Sequence, residues 1–78
     1  MNGVENQEQL RDGLRRALMM TIHRERRVDI PLLLDAIGVP DAFDDPALSK
    51  AEYIESRFER VTPDLLAGCV ERLLQRHA

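Results

Sequence analysis

The chain has 78 residues and a mass of 8.9 kDa, room for one domain that buries only roughly 60 % of its unfolded surface. It is 44 % apolar and 32 % charged, which excludes a disordered chain, and its apolar runs, Leu32-Leu33-Leu34 among them, are far short of the roughly 20 residues of a membrane span. Fourteen acids against eleven Lys and Arg leave a net charge of −3, which argues against the uniformly basic surface of a nucleic-acid binder.

Along the chain the apolar residues recur with a period near 3.6 throughout, so an all-α fold is expected. The N-terminal residues 1–9 are polar and acidic, and 1–6 are expected to be disordered. A first helix is predicted over about residues 7–25, its buried stripe formed by Leu10, Leu14, Ala17, Leu18 and Ile22 at i, i+4, i+7, i+8 and i+12. Asp29-Ile30-Pro31 announces a second helix, with Asp29 as N-cap and Pro31 in the first turn. Ile30, Leu33, Leu34 and Ile37 form its apolar face; Gly38 suits a left-handed C-terminal position and Pro40 forbids continuation.

The Asp- and Pro-rich stretch from Asp41 to Leu48 reads as a loop wrapped over the core, burying Phe43 and Leu48. Ser49-Lys50-Ala51-Glu52 then satisfies the capping box, with Leu48 and Tyr53 placed as a hydrophobic staple. Ala51, Ile54, Phe58 and Val61 are expected to carry the buried stripe of a third helix. Thr62-Pro63 repeats the cap-plus-proline signal, with Val61 and Leu66 as a second staple. A fourth helix is predicted from Pro63 to about Arg76, with Leu66, Cys69, Val70, Leu73 and Leu74 inward. Residues 1–78 should therefore form one domain, a compact bundle of four or at most five short helices.

Catalytic and metal chemistry find no support. No nucleophile elbow, zinc-protease motif or glycine-rich phosphate loop is present, and His23, His77 and Cys69 do not make a zinc spacing. Cys69, on an apolar stripe, reads as a buried inert thiol, and His77 as a cation near a helix C-terminus. A twelve-residue frame from Asp41 imitates a calcium loop, but Phe43 and Pro46 stand where an oxygen ligand and a glycine are required. No enzyme, cofactor or metal is expected. A lone cysteine and an N-terminus without the basic-then-apolar order of an export signal point to the reducing cytoplasm.

Charge placement is more telling. Residues 1–28 hold six Arg and four acids, net +2; residues 29–64 hold three bases and nine acids, net −6; the remainder is +1. On the first helix Arg16, His23 and Arg27 fall together with Arg15 and Arg26 beside them, one basic ridge if the helix persists to Arg27. On the third, Glu52, Glu55 and Glu59 form an acidic ridge. Two readings stand. The ridges are either solvated faces or complementary docking surfaces on opposite sides, which would join copies head to tail into open chains or rings. Met19 and Met20 flank the core stripe, either closing its sides or offering an adaptable binding surface beside the arginines.

Leu48-Ser49-Lys50-Ala51-Glu52-Tyr53-Ile54, followed by Arg57-Phe58 and by Leu65-Leu66 through Leu73-Leu74, resembles the small helical modules of bacterial defence and conflict systems. The resemblance, to effector-associated and death-like adaptor domains, spans most of residues 10–76 and rests on an S-K-x-x-Y-[IV] helix start and a final leucine-rich helix. It implies recruitment of an effector to a sensor through helical contacts, although death-like folds usually have six helices. The expected function is that of a non-enzymatic protein-interaction module, self-association through the two ridges included. The alternative is a small helix-turn-helix-like nucleic-acid-binding regulator using Arg15, Arg16, Arg26 and Arg27.

Overall fold

Four α-helices follow one another in a computed structural model that describes the backbone of residues 3–76 and the side chains of residues 9–76. They are α1 (Gly3–His23), α2 (Ile30–Ile37), α3 (Lys50–Phe58) and α4 (Pro63–Arg76); a single 3-10 turn, Arg27–Asp29, leads into α2, and no strand occurs among the described residues. The chain is all-α, as its periodicity requires. His77 and its suggested role lie outside the described residues.

The helix ends follow the local chemistry closely. Ser49 accepts the Glu52 backbone N–H at 3.2 Å while the Glu52 carboxylate accepts the Ser49 N–H at 3.0 Å, completing the capping box. The Ser49 backbone N–H, with the Ser49 hydroxyl beside it, holds the Glu52 carboxyl below its usual range. Thr62 Oγ1 accepts the Leu65 N–H at 3.3 Å, and the staple residues Val61 and Leu66 are both buried. At the end of α2, Gly38 has φ 92°, and its N–H and that of Val39 return to the Asp35 and Leu34 carbonyls, a Schellman motif that needs a residue free of Cβ crowding. Asp29 departs from expectation: it has helical backbone angles, makes no cap hydrogen bond, and its carboxylate instead accepts from Arg26 Nε at 3.0 Å.

α1 lies against both α3 and α4, and α2 packs on α4. The core comprises Leu18 and Ile22 of α1, all four apolar-face residues of α2, Val39, then Tyr53, Ile54 and Phe58 of α3, Val61, and Leu66, Cys69 and Leu73 of α4. Burial pushes the Cys69 thiol up, against a smaller opposing effect of Arg72.

The first helix differs most from the sequence reading. It begins at Gly3, inside the stretch expected to be disordered, and stops at His23, short of Arg26 and Arg27. Its buried stripe covers only the C-terminal half: Leu10 is 73 % and Leu14 41 % exposed, and Ala17 is exposed as well. A helix of 21 residues is about 31 Å long, and the partners α3 and α4, with 9 and 14 residues, are shorter, so periodicity marks a face that the bundle does not reach. Leu74 and Ala51 are exposed as well, at the borders of their helices' buried faces.

Phe43 was expected inside but is 63 % exposed. The loop is held by polar contacts, one residue after another. Arg60 pairs with Asp41, the Tyr53 hydroxyl donates to the Ala42 carbonyl at 2.6 Å, and Arg57 donates to the Phe43 carbonyl from Nε at 3.3 Å and Nη2 at 3.1 Å. Arg27 then donates to the Asp44 carboxylate at 3.1 Å and to the Asp45 carbonyl at 2.8 Å. Arg57 is the buried member of this set, 6 % exposed, with its guanidinium 4.8 Å from the Phe43 ring centre and 5.2 Å from that of Tyr53. Leu48 is half-buried and packs against the core as expected.

Candidate functional site

A groove runs between α1 and α3. Its wider part, about 410 Å³, is lined by Asp12, Arg15, Arg16, Met19, Glu55, Phe58 and Glu59. A second hollow of about 190 Å³ adds Met20, His23, Ala51 and Ile54 and shares Arg16, Met19 and Glu55 with the first, so the two form one continuous channel. Arg15 and Phe58 meet at one end, and His23 and Ala51 share the other, so α3 runs antiparallel to α1.

Helical spacing explains the lining. On α1, positions 12, 16, 19, 20 and 23 follow the i, i+3, i+4 row beside the buried Leu18 and Ile22; on α3, positions 51, 55, 58 and 59 do the same beside Ile54. The floor is apolar, made of Met19, Ile54 and Phe58. The α1 wall carries Arg16, with the Asp12 carboxylate one turn before it, and, farther along, His23; the α3 wall carries Glu55 and Glu59. Arg16, Glu55, Glu59 and His23 are all exposed, and Met20 is 60 % exposed at the mouth. Among the described residues, the three ion pairs join Arg26 to Asp29, Arg27 to Asp44 and Arg60 to Asp41, so Arg16 faces Glu55 and Glu59 across the groove without pairing with either.

The sequence-derived set divides on this geometry. Arg16, Met19, Met20, His23, Glu55 and Glu59 come together on the groove. Arg15 lies at its edge, half-buried, with its guanidinium donating to the Phe58 carbonyl and, at 2.8 Å, to the Val61 carbonyl; it ties α1 to the last residue of α3 and to the link that leads into α4. Arg26 and Arg27 leave the ridge altogether, because the backbone turns extended at Arg26 (φ −67°, ψ 142°). Glu52 is occupied by the capping box. The single basic ridge is thus broken, and the basic and acidic surfaces do not lie on opposite sides: they are the two walls of one groove. Asp12, Ala51, Ile54 and Phe58 were missed as lining residues. Asp12 carried a signal, since it stands four residues before Arg16 on the same face.

Arg27 beside Asp44 holds that carboxyl below its usual range, while burial, with Asp44 nearby, raises the Tyr53 hydroxyl. Among the described residues no group of three or more His, Cys, Asp or Glu gathers closely enough to hold a metal ion, and no buried side-chain nitrogen or oxygen lacks a hydrogen-bond partner. No helix among the described residues is long and apolar enough to cross a membrane. Compared with known protein families, curated proteins and solved structures, the chain matches none.

Proposed function

We propose that the protein is a non-enzymatic protein-interaction module that docks a helical partner in the α1/α3 groove. The observation that carries this reading is the juxtaposition of an apolar floor with Arg16 on one wall and Glu55 and Glu59 on the other, none of them in an ion pair among the described residues. Such a groove suits an amphipathic helix: apolar anchors at i, i+3 and i+4 enter the floor, and flanking charges meet the walls. Apolar burial supplies affinity, and the charge pattern fixes register and rejects wrong partners. Methionines in the floor and at the mouth add adaptability. The resemblance to effector-associated and death-like adaptor modules suggests that the partner belongs to a recruitment assembly.

The nucleic-acid alternative requires Arg15, Arg16, Arg26 and Arg27 to act as one free basic face. Arg15 and Arg27 instead donate to carbonyls and a carboxylate of the protein itself, and Arg26 pairs with Asp29, which removes most of the phosphate-binding charge. Affinity capture from the source cell with the wild-type chain, Arg16→Glu and Glu55→Lys tests the proposal. Proteins retained by the wild type should be lost from both variants, whose helical content and melting temperature stay unchanged. Equal retention by all three would remove the groove from consideration, and a shift of random duplex DNA by micromolar protein at low salt would favour the regulator.

A further inference from the structure

We infer that the groove's partner is a second copy of this chain, joined through a two-fold axis that runs along the groove to give a closed dimer. This rests on the groove being the docking surface and adds which molecule occupies it.

The geometry follows from both walls lying on one face. If the basic and acidic surfaces lay on opposite sides, copies could join only head to tail, and such contacts propagate into rings or filaments. With both walls on one face, two copies can meet face to face. A two-fold axis across the groove would set α1 on α1 and α3 on α3, like charge on like. An axis along the groove sets α1 of each copy on α3 of the other.

That second arrangement also preserves register. Rotation about an axis parallel to the groove leaves each residue at its own level along it. Arg16 already stands level with Glu55, with which it shares both hollows, and with Glu59 in the wider one. In the dimer, Arg16 of each copy therefore comes over Glu55 and Glu59 of the other, twice by symmetry, against a single like-charge approach per copy, of Asp12 toward Glu59 in the wider hollow. Met20, level with Ala51 and Ile54 in its own chain, is carried onto those of the second copy, and the Met19 and Phe58 floors are closed off together. No ion pair within the chain has to break, because Arg16, Glu55 and Glu59 take part in none of those among the described residues.

Exposed ion pairs contribute little singly, so the symmetric repetition and the apolar floor both matter. A reversed charge counts twice in a two-fold interface. Arg16→Glu, which makes both walls acidic, and the double variant Glu55→Lys/Glu59→Lys, which makes both basic, should each weaken dimerisation by at least about tenfold.

The test is sedimentation equilibrium with light scattering on the full chain, from micromolar to millimolar, at low and high salt. The wild type should approach twice its monomer mass and rise no further, with dissociation promoted by salt. Each variant alone should remain monomeric, and an equal mixture of the two should regain the dimer mass, which controls for folding because the same chains then associate. A wild type that stays monomeric at millimolar concentration and low salt overturns the inference. So does a mass that climbs past two copies, or a dimer that survives both charge reversals. A monomeric wild type whose captured proteins are still lost from Arg16→Glu and Glu55→Lys would leave the groove as a docking site and remove only the second copy.

Discussion

Arg15 and Arg16 carry the same side chain one residue apart, and the 100° step of the helix sends them to different neighbours. Arg15 reaches the carbonyls of Phe58 at the end of α3 and of Val61 in the link beyond it, whereas Arg16 stands in the groove wall outside the ion pairs of the described residues. Charge-assisted hydrogen bonds to half-buried carbonyls are worth about 1.5–3 kcal/mol, so Arg15→Gln should lower stability by that order while Arg16→Gln stays within about 0.5 kcal/mol. Urea unfolding of the two variants side by side, at a protein concentration low enough to keep both monomeric, decides this, and equal losses would refute the division. Arg57 poses a sharper case. Its charge is buried with no carboxylate partner among the described residues, and the fork geometry to the Phe43 carbonyl and Ser56 hydroxyl, with two aromatic rings against the plane, replaces the lost hydration. Arg57→Lys keeps the charge but not the fork. It should lose about 1–3 kcal/mol, as should Arg57→Met; full rescue by lysine would mean that the charge alone suffices.

The elements show where periodicity overstates burial. In α1 the stripe runs unbroken from Leu10 to Ile22, yet the short neighbours cover only its C-terminal end, and the same chemical type meets water at Leu10 and a packed interior at Leu18. Leu18→Ala should therefore cost about 2–5 kcal/mol, and Leu10→Ala no more than about 0.5. Comparable losses measured by thermal unfolding of the dilute protein would show that the N-terminal half of α1 is covered after all. In the 41–45 loop the converse holds: nothing apolar is deeply buried, and order comes from Arg60, Tyr53, Arg57 and Arg27 each holding the next residue or two of the loop.

For the molecule as a whole, titration sets a plateau of stability. Asp44 and Glu52 ionise more readily in the folded than in the unfolded chain. Their contribution is complete above ordinary carboxylate values of about 4 and disappears as the pH falls through their lower folded values. Cys69 and Tyr53 are held neutral by burial, so their contribution is complete below about 8.5 and 10 respectively and is lost as the pH rises through their higher folded values. Chemical denaturation should give a midpoint that is level between about pH 5 and 8 and declines on both sides. Tyr53→Phe should lower the plateau by about 1 kcal/mol, through the lost hydrogen bond to Ala42, yet soften the alkaline decline; an unchanged alkaline limb would exclude Tyr53 as its source.

The helices of this protein and most of their ends were legible in the sequence, because capping and backbone geometry act within a few residues. Ser49 with Glu52, Thr62 with Pro63, and Gly38 before Pro40 state locally where a helix starts or stops. The inward faces of α2 and the burial of Cys69 were legible too, since a short, strongly apolar stripe has only one way to avoid water. Burial at Leu10 and Phe43, the interior position of Arg57, and the dispersal of Arg15, Arg26 and Arg27 were not. Each depends on which distant element lies opposite, and a helical wheel contains no such information. The same limit governed the candidate site: the residue types of both charged walls came from the sequence alone. That they face one another across a single groove was decided by antiparallel packing of α1 on α3, which sets the direction of each wall relative to the other.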